Sequence, residues 1–133
     1  MATKIFVNLP VQSLGRSVEF FKQLGFTFNA QFTDENATSM VISDSIYVML
    51  LVKPFFKTFT KKEIADATQV TESIIALTMD SRAQVDEQFK KALAAGATET
   101  KEAQDHGFMY VRSFQDLDGH QWELFWMDPK HVQ

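Results

Sequence analysis

The chain is written twice. Residues 5–52 and 74–127 each run as strand, helix, glycine and further strands, and each closes with an Asp-led turn that feeds an apolar strand. The first copy contains "IFVNLPV", "SLGRSVEFFKQLGF" and "DSIYVMLLV"; the second contains "IIALTMD", "SRAQVDEQFKKALAAGA" and "DGHQWELFWMD". A repeated unit of this size buries its apolar face against its sister. Strands paired in this way are expected to curl round one cavity, and a cavity is where small-molecule chemistry occurs.

Within each copy the local pattern is plain. Ile5, Val7, Leu9 and Val11 alternate with Phe6, Asn8 and Pro10, which predicts a strand over residues 4–11 with two unlike faces. Ser13 is placed to cap the next helix, whose stripe is Leu14, Val18 and Phe21, widened by Phe20 and Leu24. Gly25 ends that helix. In the second copy Ile75, Leu77 and Met79 form a strand face, Val85, Phe89 and Leu93 a helix stripe, and Gly96 the stop. One apolar stripe per helix places both helices on the outside of a sheet.

Weaker strands are expected over residues 27–32, 38–43, 98–101 and 108–114, split by turns at "TDENA" and "AQDHG". The last strand of each copy, 46–52 and 121–127, follows Asp44-Ser45 or Asp118-Gly119. Between the copies, Thr60 followed by Glu63 forms a capping box for a short helix ending near Ala67. Phe55, Phe56 and Phe59 there either pack on the sheet or a partner chain, or form a lid. The expected architecture is a single α+β domain over 1–133: two βαβββ modules, 4–53 and 73–128, joined by a connector over 54–72, with mixed sheets curling round a central cavity.

Composition narrows the function. The 13 phenylalanines supply the core, since each buried aromatic removes roughly 150–250 Å² from water. No cysteine is present, which excludes disulfides, thiolate metal sites and cysteine nucleophiles. The 13 Lys and Arg are scattered and outnumbered by 17 acids, so no basic stripe exists to neutralise phosphates, and nucleic acid is not an expected partner. No apolar run approaches the roughly 20 residues of a membrane span, and "MATKIFV" lacks the h-region of a signal peptide. A cytoplasmic protein is expected.

With βαβββ written twice and "DLDGHQWELFWMD" near the end, the sequence resembles the vicinal oxygen chelate superfamily, which holds glyoxalase I, bleomycin-resistance proteins and extradiol dioxygenases. "LPVQSLGRSVEFFKQLGF" is similar to the family's first strand and helix, with Phe20-Phe21 in place of Phe-Tyr. "DLDGHQWEL" is similar to its Asp-Pro-Asp-Gly strand entry, with Leu117 where proline is common. The resemblance covers nearly the whole chain. It implies the fold, a homodimer, and in the metal enzymes of the family a divalent ion held by the first and last strands of both modules.

The ligand set implied by that resemblance is mostly missing. Glu123 matches the carboxylate of the second module's last strand, but Met49 stands at its counterpart in the first, and a thioether suits hard ions poorly. The first strands offer Phe6 and Asn8, or Ile74 and Ala76, and only Asn8 carries even a weak oxygen donor. A catalytic zinc wants three protein ligands, and an iron facial triad wants two histidines and a carboxylate. His120 lies three residues from Glu123 and so on the opposite strand face, His106 lies in a turn and His131 in the tail. No cofactor is expected; a divalent ion at Glu123 is the remaining alternative.

If Glu123 faces inward, period two puts Gln121 and Phe125 beside it and Trp122, Leu124 and Trp126 under the helix. By module equivalence Tyr47 and Met49, with Leu51, are expected to line the opposite wall, and Phe6 and Asn8, with Pro10, the next. Tyr110 and Arg112 share a face of the neighbouring strand; either they reach the pocket to hold an anionic or polar group, or Arg112 is a surface residue. The apolar neighbours of Glu123 are expected to limit water and favour its neutral form. The favoured function is a small-molecule-binding protein without the family metal site, similar to the bleomycin-resistance branch. One alternative is a lyase or isomerase resembling glyoxalase I (lactoylglutathione lyase), with Glu123 as catalytic proton-transfer residue or metal ligand. Another is an interaction module whose cavity is only core.

Overall fold

In the computed structural model, which describes residues 3–131, the expected elements form in the expected order. Module one opens with β1 (Ile5–Val11). Ser13 then accepts the Arg16 N–H through Oγ at 3.3 Å and starts α1 (Leu14–Gln23). Gly25, at a φ of 95°, closes α1, and its N–H donates to the Lys22 carbonyl at 2.9 Å. β2 (Thr27–Asn29), β3 (Ala37–Val41) and β4 (Ile46–Val52) complete the module. The four strands lie in the order β1-β4-β3-β2, with β1 parallel to β4 and the other pairs antiparallel.

Module two repeats the plan with β5 (Ile74–Thr78), α3 (Arg82–Ala94), β6 (Thr98–Asp105), β7 (Met109–Gln115) and β8 (Gln121–Met127). Its order is β5-β8-β7-β6, again with one parallel pair. The chain divides between Ala65 and Asp66 into two compact units, one module in each. The α+β class and the two βαβββ modules are therefore as expected. No helix among the described residues is long and apolar enough to cross a membrane.

Several local expectations are corrected. In α1 the buried stripe is Ser17, Phe20, Phe21 and Leu24, while Leu14 and Val18 are only half-buried. The stripe keeps helical spacing, but the pattern missed its small polar member. In α3, Ala92 joins Val85 and Phe89 inside, and Leu93 is 40% exposed. Residues 30–32 form a 3₁₀ turn instead of strand, because the Asn29 side chain accepts the Gln31 N–H at 3.0 Å. β6 runs on to Asp105, into the first part of the expected turn at "AQDHG", and the chain reverses at His106 and Gly107.

The connector helix lies earlier than expected. It is α2 (Lys53–Phe56), with Pro54 in its first turn where proline is tolerated, and it packs on β1 and β4. Thr60 closes no capping box. Its hydroxyl accepts the Lys62 N–H at 3.1 Å, and Glu63 pairs instead with Lys57 at 3.5 Å. Phe55 and Phe59 meet edge to face at 5.2 Å, with Phe59 68% exposed.

The turn before β8 is locked from inside. Buried Asp116 accepts N–H groups from Asp118 (2.9 Å), His120 (3.1 Å) and the Trp122 indole (3.0 Å). Burial pushes its carboxyl above the ordinary value, against the opposing pull of the charge on His120 and the Trp122 hydrogen bond. Gly119 follows at a φ of 88°. A Cβ there would lie 2.7 Å from the Ala67 carbonyl carbon, so only glycine fits. The turn fixes the phase of β8, which sets the faces taken by Gln121, Trp122 and Glu123.

Candidate functional site

β8 is an inner strand of its sheet, and its alternation separates two faces. Trp122 and Leu124 are fully buried on the side of α3, backed by Phe114, whose ring lies parallel to Trp122 at 6.5 Å. Gln121, Glu123 and Phe125 turn to the other face and are half-buried. Across the sheet, Glu123 is level with Ala76 of β5 and Ser113 of β7, and Ser113 is level with Lys101 of β6.

A cavity of about 230 Å³ opens on this face, lined by Glu123, Lys101, Ser113, Thr100, Gln121 and Ile74 together with Trp122. The register of β6 slips between Glu99 and Lys101 and again between Lys101 and Gln104. Such bulges re-aim side chains, and the first brings both Thr100 and Lys101 to the cavity. No hydrogen bond or ion pair among the described residues engages the Glu123 carboxylate or the Lys101 amine. The setting is more open and more polar than the apolar neighbours of Glu123 predict, because β6 and β7 add Thr100, Lys101 and Ser113 to its walls.

In module one the expected residues also share a face. Phe6 pairs with Tyr47 and Asn8 with Met49 across the parallel β1–β4 ladder. The Phe6 and Tyr47 rings stack at 4.8 Å, with the Lys4 amine 5.7 Å from the Tyr47 centroid. Tyr47 donates its hydroxyl to the Asp44 carbonyl at 2.8 Å, and the Asn8 amide donates to the Phe6 carbonyl at 3.4 Å. A larger groove of about 480 Å³ lies beside α1 and β2, walled by Val18, Phe26 and Phe28 with Lys22 among its lining residues. Two of its three threonine hydroxyls, Thr33 and Thr38, bond each other at 2.7 Å, which leaves Thr27 and Lys22 as its other polar groups.

Tyr110 and Arg112 do not join Glu123. They pair across the ladder with Trp126 and Leu124, on the α3 side of the sheet. The Tyr110 hydroxyl donates to Asp86 at 2.5 Å, and Arg112 donates to Asp86 at 3.2 Å and Glu99 at 3.3 Å while lying 4.0 Å from the Phe89 ring centroid. Burial, then the Asp86 hydrogen bond, pushes the Tyr110 phenol up. For Arg112, burial works against the charge, but Tyr110, Glu99 and Asp86 outweigh it and hold the guanidinium above its ordinary value. The correction is one of parity. Gln115 pairs with Gln121 across the turn, so Ser113 and not Arg112 stands beside Glu123.

A second arginine ties the β6–β7 hairpin to α3. Arg82 forks onto Asp105 at 2.7 and 2.9 Å, donates to the Gly107 carbonyl at 2.9 Å, and lies 5.4 and 5.1 Å from the Tyr110 and Trp126 rings. The Arg82 hydrogen bond holds Asp105 down to about 2, and Asp105 in turn raises Arg82.

The residues at the implied metal positions do not fit a metal. Asn8 beside Met49 and Ala76 beside Glu123 supply an amide, a thioether, a methyl and one carboxylate, short of three good ligands. Among the described residues, no group of three His, Asp or Glu stands ready to hold an ion. His106 and His131 instead flank Phe108, at 6.3 and 4.1 Å between ring centroids.

Sequence reasoning missed Lys101, Thr100, Ser113 and Asp116. The bulges that deliver Lys101 and Thr100 leave no sequence signal. Ser113 was accessible by counting back across the five-residue turn from Glu123, and Asp116 as the first acid of "DLDG".

Comparison with known proteins agrees with this fold. A family model described as bleomycin resistance protein-like N-terminal matches residues 3–43. A hypothetical protein, SA1046, from S. aureus is 27% identical, with 94% of each chain covered and a TM-score of 0.80. A glyoxalase/bleomycin resistance protein/dioxygenase family enzyme from Burkholderia phytofirmans PsJN is 15% identical over 95% of this chain and 99% of that one, with a TM-score of 0.78. A glyoxalase-related enzyme from Fulvimarina pelagi is 14% identical over 95% and 88%, with a TM-score of 0.80. No curated protein matches the sequence. At such identities the last two likenesses speak for the fold alone.

Proposed function

The chain has the fold of the vicinal oxygen chelate superfamily and resembles it in sequence, and from that premise we propose that it binds a small molecule on the open face of module two, without the metal of the family's enzymes. One observation carries this reading. A half-buried carboxylate, Glu123, faces a cavity of about 230 Å³ and is bonded to nothing among the described residues. A carboxylate that faces a cavity with no protein partner is available to the cation or hydrogen-bond donor of a ligand. The cavity's mix of apolar walls with a few convergent polar groups is the usual make-up of a ligand site.

The test is a thermal-shift screen of small carbonyl compounds, thiol conjugates and basic antibiotics against the wild type and Glu123→Gln. The glutamine keeps the shape but not the charge, so hits are expected to stabilise the wild type and to be weakened in the variant. Hits that stabilise both equally would make Glu123 structural. The same free carboxylate favours one second reading, a lyase or isomerase in which Glu123 takes a proton next to a carbonyl. Turnover of a carbonyl hit by the wild type and not by Glu123→Gln distinguishes it from simple binding. We also propose a homodimer as the working unit, in keeping with the resemblance and with the exposed Ile5, Phe6, Ile46 and Ile74.

A further inference from the structure

Two opposite charges line the cavity beside Glu123 and do not meet. Lys101 on β6 and Glu123 on β8 are level with the same residue, Ser113 on the strand between them. Neighbouring strands lie about 4.8 Å apart, so the two backbones stand roughly 10 Å from each other on that spacing. Both side chains line the same space, yet no ion pair joins them or ties either to another residue among those described. Elsewhere in the module, basic and acidic side chains that come close do pair: Arg82 with Asp105, and Arg112 with Asp86 and Glu99. The cavity of about 230 Å³ thus carries an unpaired basic group on one strand and an unpaired acidic group two strands away, so its two ends have opposite sign.

From this arrangement we propose that the cavity selects zwitterions: a small amino-carboxylate, free or as the end of a larger conjugate, with its ammonium on Glu123 and its carboxylate on Lys101. The Ser113 hydroxyl lies level with both charges and supplies a hydrogen bond to either end. Ile74 and the Thr100 methyl offer apolar contact to a short methylene chain. A singly charged ligand would satisfy one end and leave the other charge facing its apolar part. Charge-assisted hydrogen bonds at both ends are stronger than neutral ones and discriminate by sign. The inference rests on the reading that ligand binds beside Glu123, and it adds the chemical class.

The test compares 5-aminopentanoate with pentylamine and pentanoate, each titrated into isotope-labelled protein and followed by amide chemical shifts. In the wild type, 5-aminopentanoate is expected to bind at least tenfold more tightly than either singly charged analogue. Lys101→Met should bring it down to the level of pentylamine and leave pentylamine itself unchanged. The proposal is overturned if the zwitterion binds no better than pentylamine, or if Lys101→Met leaves its advantage intact. Should pentylamine binding in that case still depend on Glu123, the site stands and only its selectivity is wrong. If Glu123→Gln changes none of the three affinities, the site itself is refuted and the zwitterion reading with it.

Discussion

Asp116 shows how one side chain sets the phase of the site. One carboxylate oxygen takes the N–H groups of Asp118 and His120, and the other takes the Trp122 indole. Asp116→Asn keeps an acceptor for the backbone pair but turns an amine toward the indole. It should cost about 1–2 kcal/mol, and Asp116→Ala about 3 kcal/mol, since buried donors are left unmet. Gly119→Ala should also destabilise, through its φ of 88° and the 2.7 Å approach to Ala67, by more than the roughly 1 kcal/mol usual for a left-handed alanine. Chemical denaturation reads all three. Asp105 makes a separate prediction about pH. Because Arg82 holds it down to about 2, the tie is complete above the ordinary carboxylate range near 4 and is lost as pH falls towards that lower value. A carbon-13 titration of the carboxyl should show this. Arg82→Gln should raise the midpoint towards the ordinary range without fully restoring it, because the Gly107 N–H still donates to Asp105 at 2.9 Å.

At the scale of elements, the helices test how the modules pack. Ser17 sits inside the α1 stripe, so Ser17→Leu should overpack the helix–sheet layer and cost about 1–3 kcal/mol. Leu93→Glu, on the exposed edge of α3, should stay within about 0.5 kcal/mol of wild type. The reverse result for the pair would mean that the stripes read from apolar residues alone were right. Those stripes were nearly legible because hydrophobic periodicity reports a face, but it counts neither a small serine nor an alanine as interior. The order of strands and helices was legible from period, caps and glycines, and so was the shared face of Gln121, Glu123 and Phe125, opposite buried Trp122 and Leu124. The face of β7 was not read correctly, since Tyr110 and Arg112 alternate as convincingly as Val111 and Ser113, and only the pairing across the turn decides. The β6 bulges and the early helix at Lys53–Phe56 arise from pairing and packing, which local pattern does not encode.

At the scale of the whole molecule, the strand order repeats from one module to the next, while the positions implied for a metal carry Asn8, Met49 and Ala76 beside the one carboxylate of Glu123. Elemental analysis after purification without chelator should find no stoichiometric divalent ion. One zinc, nickel, manganese or iron per chain, lost in Glu123→Ala, would show that other residues complete a site. Sedimentation equilibrium should give twice the 15.2 kDa chain mass; the single mass would remove the proposed dimer. The central claim is that ligand is held on the open face of module two. Its most direct test is an amide chemical-shift map of the stabilising hits from the thermal-shift screen. Shifts concentrated at Thr100, Lys101, Ser113, Gln121 and Glu123 are predicted, and shifts concentrated instead at Val18, Phe26 and Phe28 in the groove of module one would contradict it.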